Sequence, residues 1–554
     1  MGRHSTSEIF DNESKIDFGV PSKTLEDKSP PAGLGLGSSV QLFDIEQSSI
    51  VEEERIVGVQ QWLVFICIIV LATMDSFNST ILIPAIPGLA NLFNTSLAST
   101  LWATTVYLLF GAASHLYFTM MSEVFHHGPV WILAVLLATI GTGVCGGSLS
   151  LGELIIGRII QGTGGGGAMA LCFVAMKESA PEAIHSRYSC YIVLMRMGGA
   201  ILGLICGGLF IDHGHWTWSF YFNFAFCALG LLGIPFAVDL RVSKHVPLRK
   251  MRTLDWVGVS MAFFGAAGIL VGLSWGGISY RWSEWETIVP IVVGCVLILA
   301  LGLYESKWAL HPLFGGFFRS KMMSMTYLGC FLHGLVFLSH VQFFALYFMS
   351  TLYMSATISG MALLSLVGLS IAPVAIVGMI LAREMECTQW IISAGWTLTI
   401  LASGCSILLN NITPTIAWVL LLFTAGLGHG LLLSGYNVRV RNVPKDEDTP
   451  LSSLPTTIAY YMRAWGWASA IPVGGAVLLN TLGVGLADVG LHPSLINSAN
   501  GYLILMKDFG VTAQQQDAVS LASVAAFRTL WGIVTGFSIL GGLSSAFLWR
   551  RSRE

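Results

Sequence analysis

Long apolar runs recur along this chain of 554 residues, and each is long enough to cross a lipid bilayer as a helix. A helix rises about 1.5 Å per residue and therefore needs about 20 residues to span the hydrocarbon core. Charged residues make up 11% of the chain and the mean hydropathy is +0.72, which is outside the range of soluble domains. The sequence therefore predicts an all-α polytopic membrane protein held in a lipid bilayer.

The apolar runs predict 14 membrane spans, numbered here in chain order. They lie at residues 62–84, 100–121, 129–149, 154–176, 188–211, 218–239, 256–276, 287–303, 325–348, 359–381, 390–408, 414–438, 456–480 and 530–549. An even number of spans puts both chain ends on one side, and most lysines and arginines fall in the segments on that side. Because positively charged loops face the cytosol, we expect both termini to be cytosolic, with residues 1–57 as a disordered tail.

Spans 5 and 13 share a sequence pattern. Span 5 reads MRMGGAILGLICGG from Met195, and span 13 reads MRAWGWASAIPVGG from Met462. Chance similarity between glycine-rich helices is one explanation, and a repeated six-helix unit, as in known transporter folds, is the other. We predict the second. The predicted domains are a six-helix bundle at 58–240, two linker helices at 241–304, a second six-helix bundle at 305–550 and a cytosolic tail at 551–554.

Charged residues inside the predicted spans are costly unless they are paired or face water. Asp75 lies in span 1, and Arg158 lies in span 4, three residues before Gln161 and on the same helical face. Asp75 could bind a proton or a cationic substrate, and Arg158 could tune Asp75 or hold water in a polar path. The alternative for Asp75 is a structural hydrogen bond near a helix kink, and for Arg158 it is pairing with carbonyl groups at helix ends. We predict that Asp75, Arg158 and Gln161 form a proton-coupling site.

Other polar and aromatic residues in the spans are assigned by their position. Arg196 and Arg463 occupy matching places in spans 5 and 13, which favours a conformational role, such as gating pairs at helix ends, over substrate contact. Deeper side chains could line an apolar cavity for a flat hydrophobic molecule, although packing is the alternative for most of them. The predicted cavity residues are Trp102, Tyr107, His333, Phe337, Gln342 and Phe344.

The sequence lacks the motifs of several kinds of enzyme and binding site. The segment GTGGGG is not followed by Lys and then Ser or Thr, as a phosphate-binding loop would be. No nucleophile and base occur together in a recognisable pattern, and the ten cysteines have no metal-ligand spacing. We therefore expect no enzymatic activity, no cofactor, no metal and no nucleic-acid partner.

Four motifs together resemble those of the major facilitator superfamily, and within it the 14-span drug:proton antiporter branch that is common among fungal efflux pumps. Span 1 contains MDSFNSTILIPAIP from Met74, and span 2 contains WATTVYLLFG from Trp102. The pattern Arg-x-x-Gln-Gly-x-Gly in span 4 is the most specific match. The remaining matches are Gly199, Gly203, Gly207 and Gly208, which fit the antiporter motif of span 5 and imply a role in conformational coupling.

The sequence departs from the family pattern at two places. The charged latch after span 2 is TMMSEVFHHGPV here, with Glu123 in the place of the acid and His126 and His127 where a glycine and a base would stand. Because histidine titrates near neutral pH, this latch is expected to be weaker or pH-sensitive. The antiporter motif has Leu204 in place of its proline, so no proline kink is expected in span 5.

The resemblance implies a monomeric secondary transporter in the plasma membrane that exports hydrophobic or amphipathic small molecules. Export would be coupled to protons through alternating access. Two alternatives stay open. One is a proton-coupled importer, for example of a siderophore, and the other is a membrane sensor that transports nothing.

Overall fold

The computed structural model describes residues 58–179, 185–240, 251, 254–309, 321–385, 387–441, 454–488 and 513–551. The predicted tail at 1–57 and residues 552–554 lie outside the described residues.

Helices form nearly all the regular structure of the described part of the chain. Those that begin the chain, up to the predicted linker, are α1 (Val59–Thr80), α2 (Ile86–Leu92), α3 (Leu97–Phe125), α4 (His127–Gly146), α5 (Leu151–Ser179), α6 (His185–Asp212), α7 (Trp218–Tyr221) and α8 (Asn223–Ala237). The linker helices are α9 (Trp256–Trp275) and α10 (Trp285–Lys307). The remainder are α11 (Lys321–Ser350), α12 (Ala356–Ala362), α13 (Leu364–Leu366), a π-helix (Val367–Ile371), α14 (Ala372–Glu384), α15 (Thr388–Ser406), α16 (Thr415–Arg441), α17 (Leu454–Asp488) and α18 (Ala513–Arg551).

Twelve helical segments of the described residues are long and apolar enough to cross a membrane, with α7 and α8 together forming one of them, Trp218–Ala237. The predicted tenth span is a broken helix, α12 to α14, and the predicted eleventh is α15, of 19 residues. The break has a local cause. Pro373, at the start of α14, has no N–H and its ring crowds the preceding turn, and the chain widens into a π-helix just before it. The all-α polytopic fold is confirmed, and the two additional helices are consistent with 14 spans.

The last helix differs most from its predicted bounds. The sequence predicts a span at 530–549, whereas α18 begins at Ala513. Serines in its first half lower the apolar signal, but Ser523 donates to the Val519 carbonyl of the preceding turn at 2.8 Å. A serine whose hydroxyl donates to a carbonyl of its own helix adds little polarity to the helix surface. Arg528, which lies between the predicted spans 13 and 14, is therefore within this helix.

The helices pack mainly within two groups. In the first group, here the N-terminal half (α1–α8), α5 packs against α3 and α4, and α1 packs against α6 and α8. In the second, the C-terminal half (α11–α18), α11 packs against α17 and α18, and α15 packs against α16 and α18. The halves meet where α3 packs against α17 and where α6 packs against α12 and α14. This packing is compatible with the predicted domain bounds, which stay a prediction.

The turn between α3 and α4 is a single residue, His126, with φ 69° and ψ 155°. This region of backbone space suits glycine, which stands here in the family pattern. The next residue, His127, places Nε2 2.5 Å from Glu178 Oε1 at the end of α5. The turn therefore has a contact that is an ion pair when His127 is protonated.

Replacing His126 with glycine is expected to stabilise the protein. The strained backbone costs about 1–3 kcal/mol, and the greater freedom of glycine in the unfolded chain cancels part of the gain. We expect the free energy of unfolding to rise by about 1 kcal/mol, seen as a higher midpoint of thermal unfolding of the purified protein. The matched control is Asn94→Gly at φ 49°, because asparagine tolerates that conformation. Equal shifts of the unfolding midpoint in both variants would contradict the backbone strain at His126.

Candidate functional site

Arg158 lies at the centre of a polar network inside the N-terminal half. None of its surface is exposed, and its three nitrogens all donate. Nε donates to the Ala103 carbonyl at 3.0 Å, Nη2 to the Asn78 carbonyl at 2.9 Å, and Nη1 to Gln161 Oε1 at 2.8 Å. Asn78 lies in the last turn of α1 and Ala103 in α3. One guanidinium therefore ties three helices together.

Gln161 extends this network with its amide group. Its Nε2 donates to Thr142 Oγ1 at 2.9 Å and to Asn78 Oδ1 at 3.2 Å. Asn223 of α8 donates to the same Thr142 oxygen at 2.8 Å and accepts from Asn78 at 3.0 Å. All of these side chains are buried, and such a network is stable in a low dielectric when its members are paired. Thr142 and Asn223 were not predicted from the sequence, because neither residue type stands out in a span.

The glycines after Gln161 let the neighbouring helices approach. A Cβ at Gly162 would overlap the Tyr107 carbonyl, and one at Gly164 would overlap the backbone of Ala138. A Cβ at Gly166 would overlap the Gly111 carbonyl. Small residues at these positions bring helix backbones into contact within a membrane. The Arg158 network depends on this contact, since its acceptors lie on the neighbouring helices.

Asp75 pairs with Arg196, not with Arg158. Its Oδ2 lies 3.2 Å from Arg196 Nη2, and each of the two residues is 7% exposed. Tyr107 donates to Asp75 Oδ1 at 3.1 Å, and the Arg158 guanidinium lies 4.1 Å from the centre of the Tyr107 ring. Arg158 thus reaches Asp75 only through Tyr107. Arg196 lies well inside α6, although gating pairs were expected at helix ends.

Two aromatic rings of the C-terminal half cover the same guanidinium. Arg196 Cζ lies 5.2 Å from the centre of the Tyr460 ring and 5.3 Å from that of the Trp467 ring, both on α17. Cation–π contacts of this kind are favourable at such distances. The ion pair of the N-terminal half is therefore in direct contact with the other half. Neither aromatic residue was predicted, although Tyr460, Arg463 and Trp467 have the spacing of one helical face.

A second polar cluster lies in the C-terminal half. His340 Nδ1 and His429 Nε2 are 2.9 Å apart, and His340 Nε2 is 3.1 Å from Ser403 Oγ. The ring of His333 lies 5.4 Å from that of His429. In the described part of the chain, no group of three or more His, Cys, Asp or Glu residues is arranged to hold a metal ion.

The predicted cavity residues have different neighbours. His333 and Phe337 lie against His429, whereas Phe344 stacks on Trp531 at 4.4 Å. Tyr107 belongs to the Asp75 cluster, and Gln342 is fully buried. Trp102 lines a cleft with residues of α9 and α17. These residues therefore lie in several separate environments, and their predicted role in lining one substrate cavity stays a prediction.

The antiporter-motif glycines lie along the contacts of α6. A Cβ at Gly199, Gly203 or Gly207 would overlap α1, and one at Gly208 would overlap Ala356 of α12. The helix is continuous past Leu204, as expected without the motif proline. At the end of α6, Asp212 Oδ2 accepts from the backbone N–H and the hydroxyl of Thr357, at 2.8 and 2.7 Å. The helix thus contacts both halves along its length.

A bundle of membrane-length helices, with buried charges at the contact between two halves, is the architecture of a membrane transporter. The family model of the Major Facilitator Superfamily matches residues 68–473, and the chain belongs to that superfamily. It is therefore an integral membrane protein and a small-molecule transporter, and its family is one of transporters, not enzymes.

Fungal transporters are among its relatives. It is 28% identical over 438 residues to MFS transporter L2 of a Phoma species, covering 79% of this chain and 72% of that protein. It is 25% identical to the MFS efflux transporter aclA of Aspergillus oryzae, covering 87% and 88%. It is 26% identical to the efflux pump FUS6 of Gibberella moniliformis, covering 74% and 73%. These relatives confirm the predicted resemblance to the fungal efflux branch.

Solved structures share the fold. A bacterial homologue of the human lysosomal transporter Spinster, in an inward-facing and unoccupied conformation, aligns with a TM-score of 0.56 and 15% identity. The alignment covers 89% of this chain and 99% of that one.

Replacing Gly166 with alanine is expected to destabilise the protein, because the new methyl group forces α5 away from α3. Overpacking of this kind costs about 1–3 kcal/mol, which would appear as a lower thermal unfolding midpoint. Gly532→Ala is the matched control, since a Cβ there meets nothing within 4 Å. If both variants unfolded at the same temperature as the unmodified protein, the close contact would not be needed for stability.

Proposed function

We propose that this chain exports hydrophobic or amphipathic small molecules in exchange for protons, by opening a path between its two halves alternately to each side of the membrane. The ion pair between Asp75 and Arg196 carries the proposal, because it is buried, contains a titratable acid and touches the C-terminal half. The relatives named as efflux transporters favour export over import or sensing.

A proton on Asp75 would change what Arg196 contacts. While Asp75 is ionised, its charge compensates the guanidinium inside a low dielectric. Protonation removes that charge and leaves Arg196 buried and unpaired, which costs about 3–5 kcal/mol. Arg196 can regain solvation by moving toward water, and Tyr460 and Trp467 must then lose or change their contacts with it. Proton binding would thereby shift the balance between two arrangements of the halves.

Arg158 and Tyr107 would hold Asp75 in position to pair with Arg196. Tyr107 holds one Asp75 oxygen, and Arg158 holds the Tyr107 ring while tying α1, α3 and α5 together. Arg158 already donates to carbonyl groups and to Gln161. We therefore propose that it positions Asp75 and does not carry a proton. Gln161 acts with it in fixing the end of α1.

The contacts of α6 with the C-terminal half would form the surface along which the two halves move. Gly208 places its backbone against that of Ala356 in α12 with few side chains to interlock, which suits small sliding movements between the halves. The Asp212–Thr357 hydrogen bonds would close the predicted outer end, and Arg441 of α16, which bonds Ser189 of α6, would close the predicted cytosolic end. Glu123, in the last turn of α3, would add to the cytosolic latch. We place the protein in the plasma membrane as a monomer with both termini cytosolic.

Asp75→Asn tests the coupling. Cells that lack their own efflux pumps would be loaded with lipophilic dyes, and efflux would be followed in acidic and in neutral medium. The unmodified protein should export faster in acidic medium, because protons then enter down their gradient. The variant should lose this acceleration, since an amide cannot take up the proton.

Glu153→Gln is the matched control, because it makes the same carboxyl-to-amide change at an exposed position. Surface amount and thermal unfolding would be measured for both variants, so that a folding defect is recognised. Acid-stimulated efflux that survives Asp75→Asn at normal surface amount would remove Asp75 from the coupling step.

A further inference from the structure

The repeated pattern of spans 5 and 13 corresponds to a repeated contact. In the N-terminal half, a Cβ at Gly199 of α6 would overlap the Thr73 carbonyl of α1. In the C-terminal half, a Cβ at Gly466 of α17 would overlap the Phe331 carbonyl of α11. These are the glycines that follow Arg196 and Arg463 by three residues. The two helix pairs therefore cross at equivalent positions.

This equivalence identifies the counterpart of Asp75. Asp75 follows the contact carbonyl of Thr73 by two residues, and His333 follows that of Phe331 by two residues. Where the N-terminal half has an acid beside Arg196, the C-terminal half has His333, next to Gly334, at which a Cβ would overlap the Arg463 carbonyl. The same arginine position thus has a counter-charge in one half and a neutral or cationic partner in the other.

Arg463 and the nearby histidines have hydrogen-bonding groups with no partner. Arg463 is 2% exposed, and Nη1 donates to Asn437 Oδ1 at 3.2 Å, but Nε and Nη2 have no partner. Both ring nitrogens of His333 and Nδ1 of His429 also have none, and these residues are 3% and 1% exposed. Cys330 and Tyr460 are two other titratable side chains that interact electrostatically with the Arg463 guanidinium.

Among the described residues of the C-terminal half, no buried acid is present to neutralise this guanidinium. The buried acids of the described residues are Asp75, Asp255 and Glu305, all outside that half. The sequence has no aspartate or glutamate in 321–383, 388–441, 454–487 or 518–549. Asp75 is already engaged by Arg196. A guanidinium cannot lose its proton at physiological pH, so its charge calls for an anion from elsewhere.

The position of Arg463 is suited to a transported molecule. Tyr460, Arg463 and Trp467 share one face of α17, and the two aromatic residues contact Arg196 of the N-terminal half. That face therefore looks toward the contact between the halves, which is where a path opens when they separate. Phe337, whose ring lies 5.3 Å from that of His429, adds an apolar surface beside the polar groups.

We propose that Arg463, His333 and His429 bind an anionic group of the transported molecule, most simply a carboxylate. The free Nε and Nη2 of a guanidinium are adjacent donors that match the two oxygens of a carboxylate. Each neutral imidazole can add one N–H donor. The substrate class is then an amphipathic organic acid, with its apolar body beside Phe337. This proposal rests on the proposed function as a small-molecule exporter.

Equilibrium binding of two matched probes tests the site. Pyrenebutyrate and pyrenebutanol share an aromatic body and a short chain, and they differ in whether the chain ends in a carboxylate. Their affinities for the purified full-length protein would be measured by fluorescence. We expect the unmodified protein to prefer the carboxylate by about tenfold or more, in the range of a charge-assisted hydrogen bond. Arg463→Gln should remove the preference while leaving the binding of the alcohol unchanged.

Two further variants separate binding from folding. His333→Asp places a carboxylate where Asp75 stands in the other half, so it should occupy Arg463 and remove the preference without lowering the thermal unfolding midpoint. Arg528→Gln removes an exposed arginine of α18 and should keep the full preference. Equal affinity of the two probes for the unmodified protein, no binding of the carboxylate, or an undiminished preference in His333→Asp would overturn the proposal.

The binding measurement uses no proton gradient, so its outcome is independent of the coupling test. Loss of acid-stimulated efflux in Asp75→Asn concerns the proposed function alone. A carboxylate preference that depends on Arg463 concerns the anion site alone.

Discussion

A charge inside a membrane protein must be compensated where it lies, and this constraint organises the interior of the molecule. Among the described residues, three arginines are buried in helices, namely Arg158, Arg196 and Arg463. Each is solvated differently: the first by carbonyl oxygens and an amide, the second by a carboxylate, and the third by one amide oxygen. On these differences rest our proposals that Arg158 positions the site, that Arg196 is linked to a proton and that Arg463 is available to a ligand.

Close helix packing makes this compensation possible. Within lipid, apolar side chains gain little by leaving the solvent for one another, so helix contacts depend on packing and on polar bonds between helices. The glycines of α5 and α6 bring the backbones near enough for Arg158 to reach carbonyl groups of α1 and α3 and for Arg196 to reach Asp75. The same glycines leave smooth contact surfaces along α6. Packing and charge burial therefore depend on one set of small residues, and we propose that movement does as well.

The two halves reuse one helix crossing for different purposes. We propose that the acid beside Arg196 makes a proton-linked site and that the histidine beside Arg463 leaves a positive charge open to a partner. Tyr460 and Trp467 link the two sites, because they flank Arg463 on α17 and also cover Arg196. A change at the proton-linked pair would thus be felt on the same helix face as the proposed anion site. This arrangement offers a physical route by which proton binding and substrate binding could influence one another.

The sequence by itself determined the membrane class, the family and most helix positions, because hydropathy and helix length are local properties of a chain in lipid. It missed the start of α18, where polar residues such as Ser523, which is bonded to its own helix, lower the apolar signal. It also could not show that Pro373 follows a π-helix. It also indicated that Asp75, Arg158, Arg196 and Arg463 are unusual. Only the tertiary structure decided that Asp75 pairs with Arg196, that Arg158 bonds to carbonyl groups, and that Arg463 has no counter-charge among the described residues. The reason is that partners in a helix bundle are set by which faces cross and how closely, and residues that meet there are far apart in the chain.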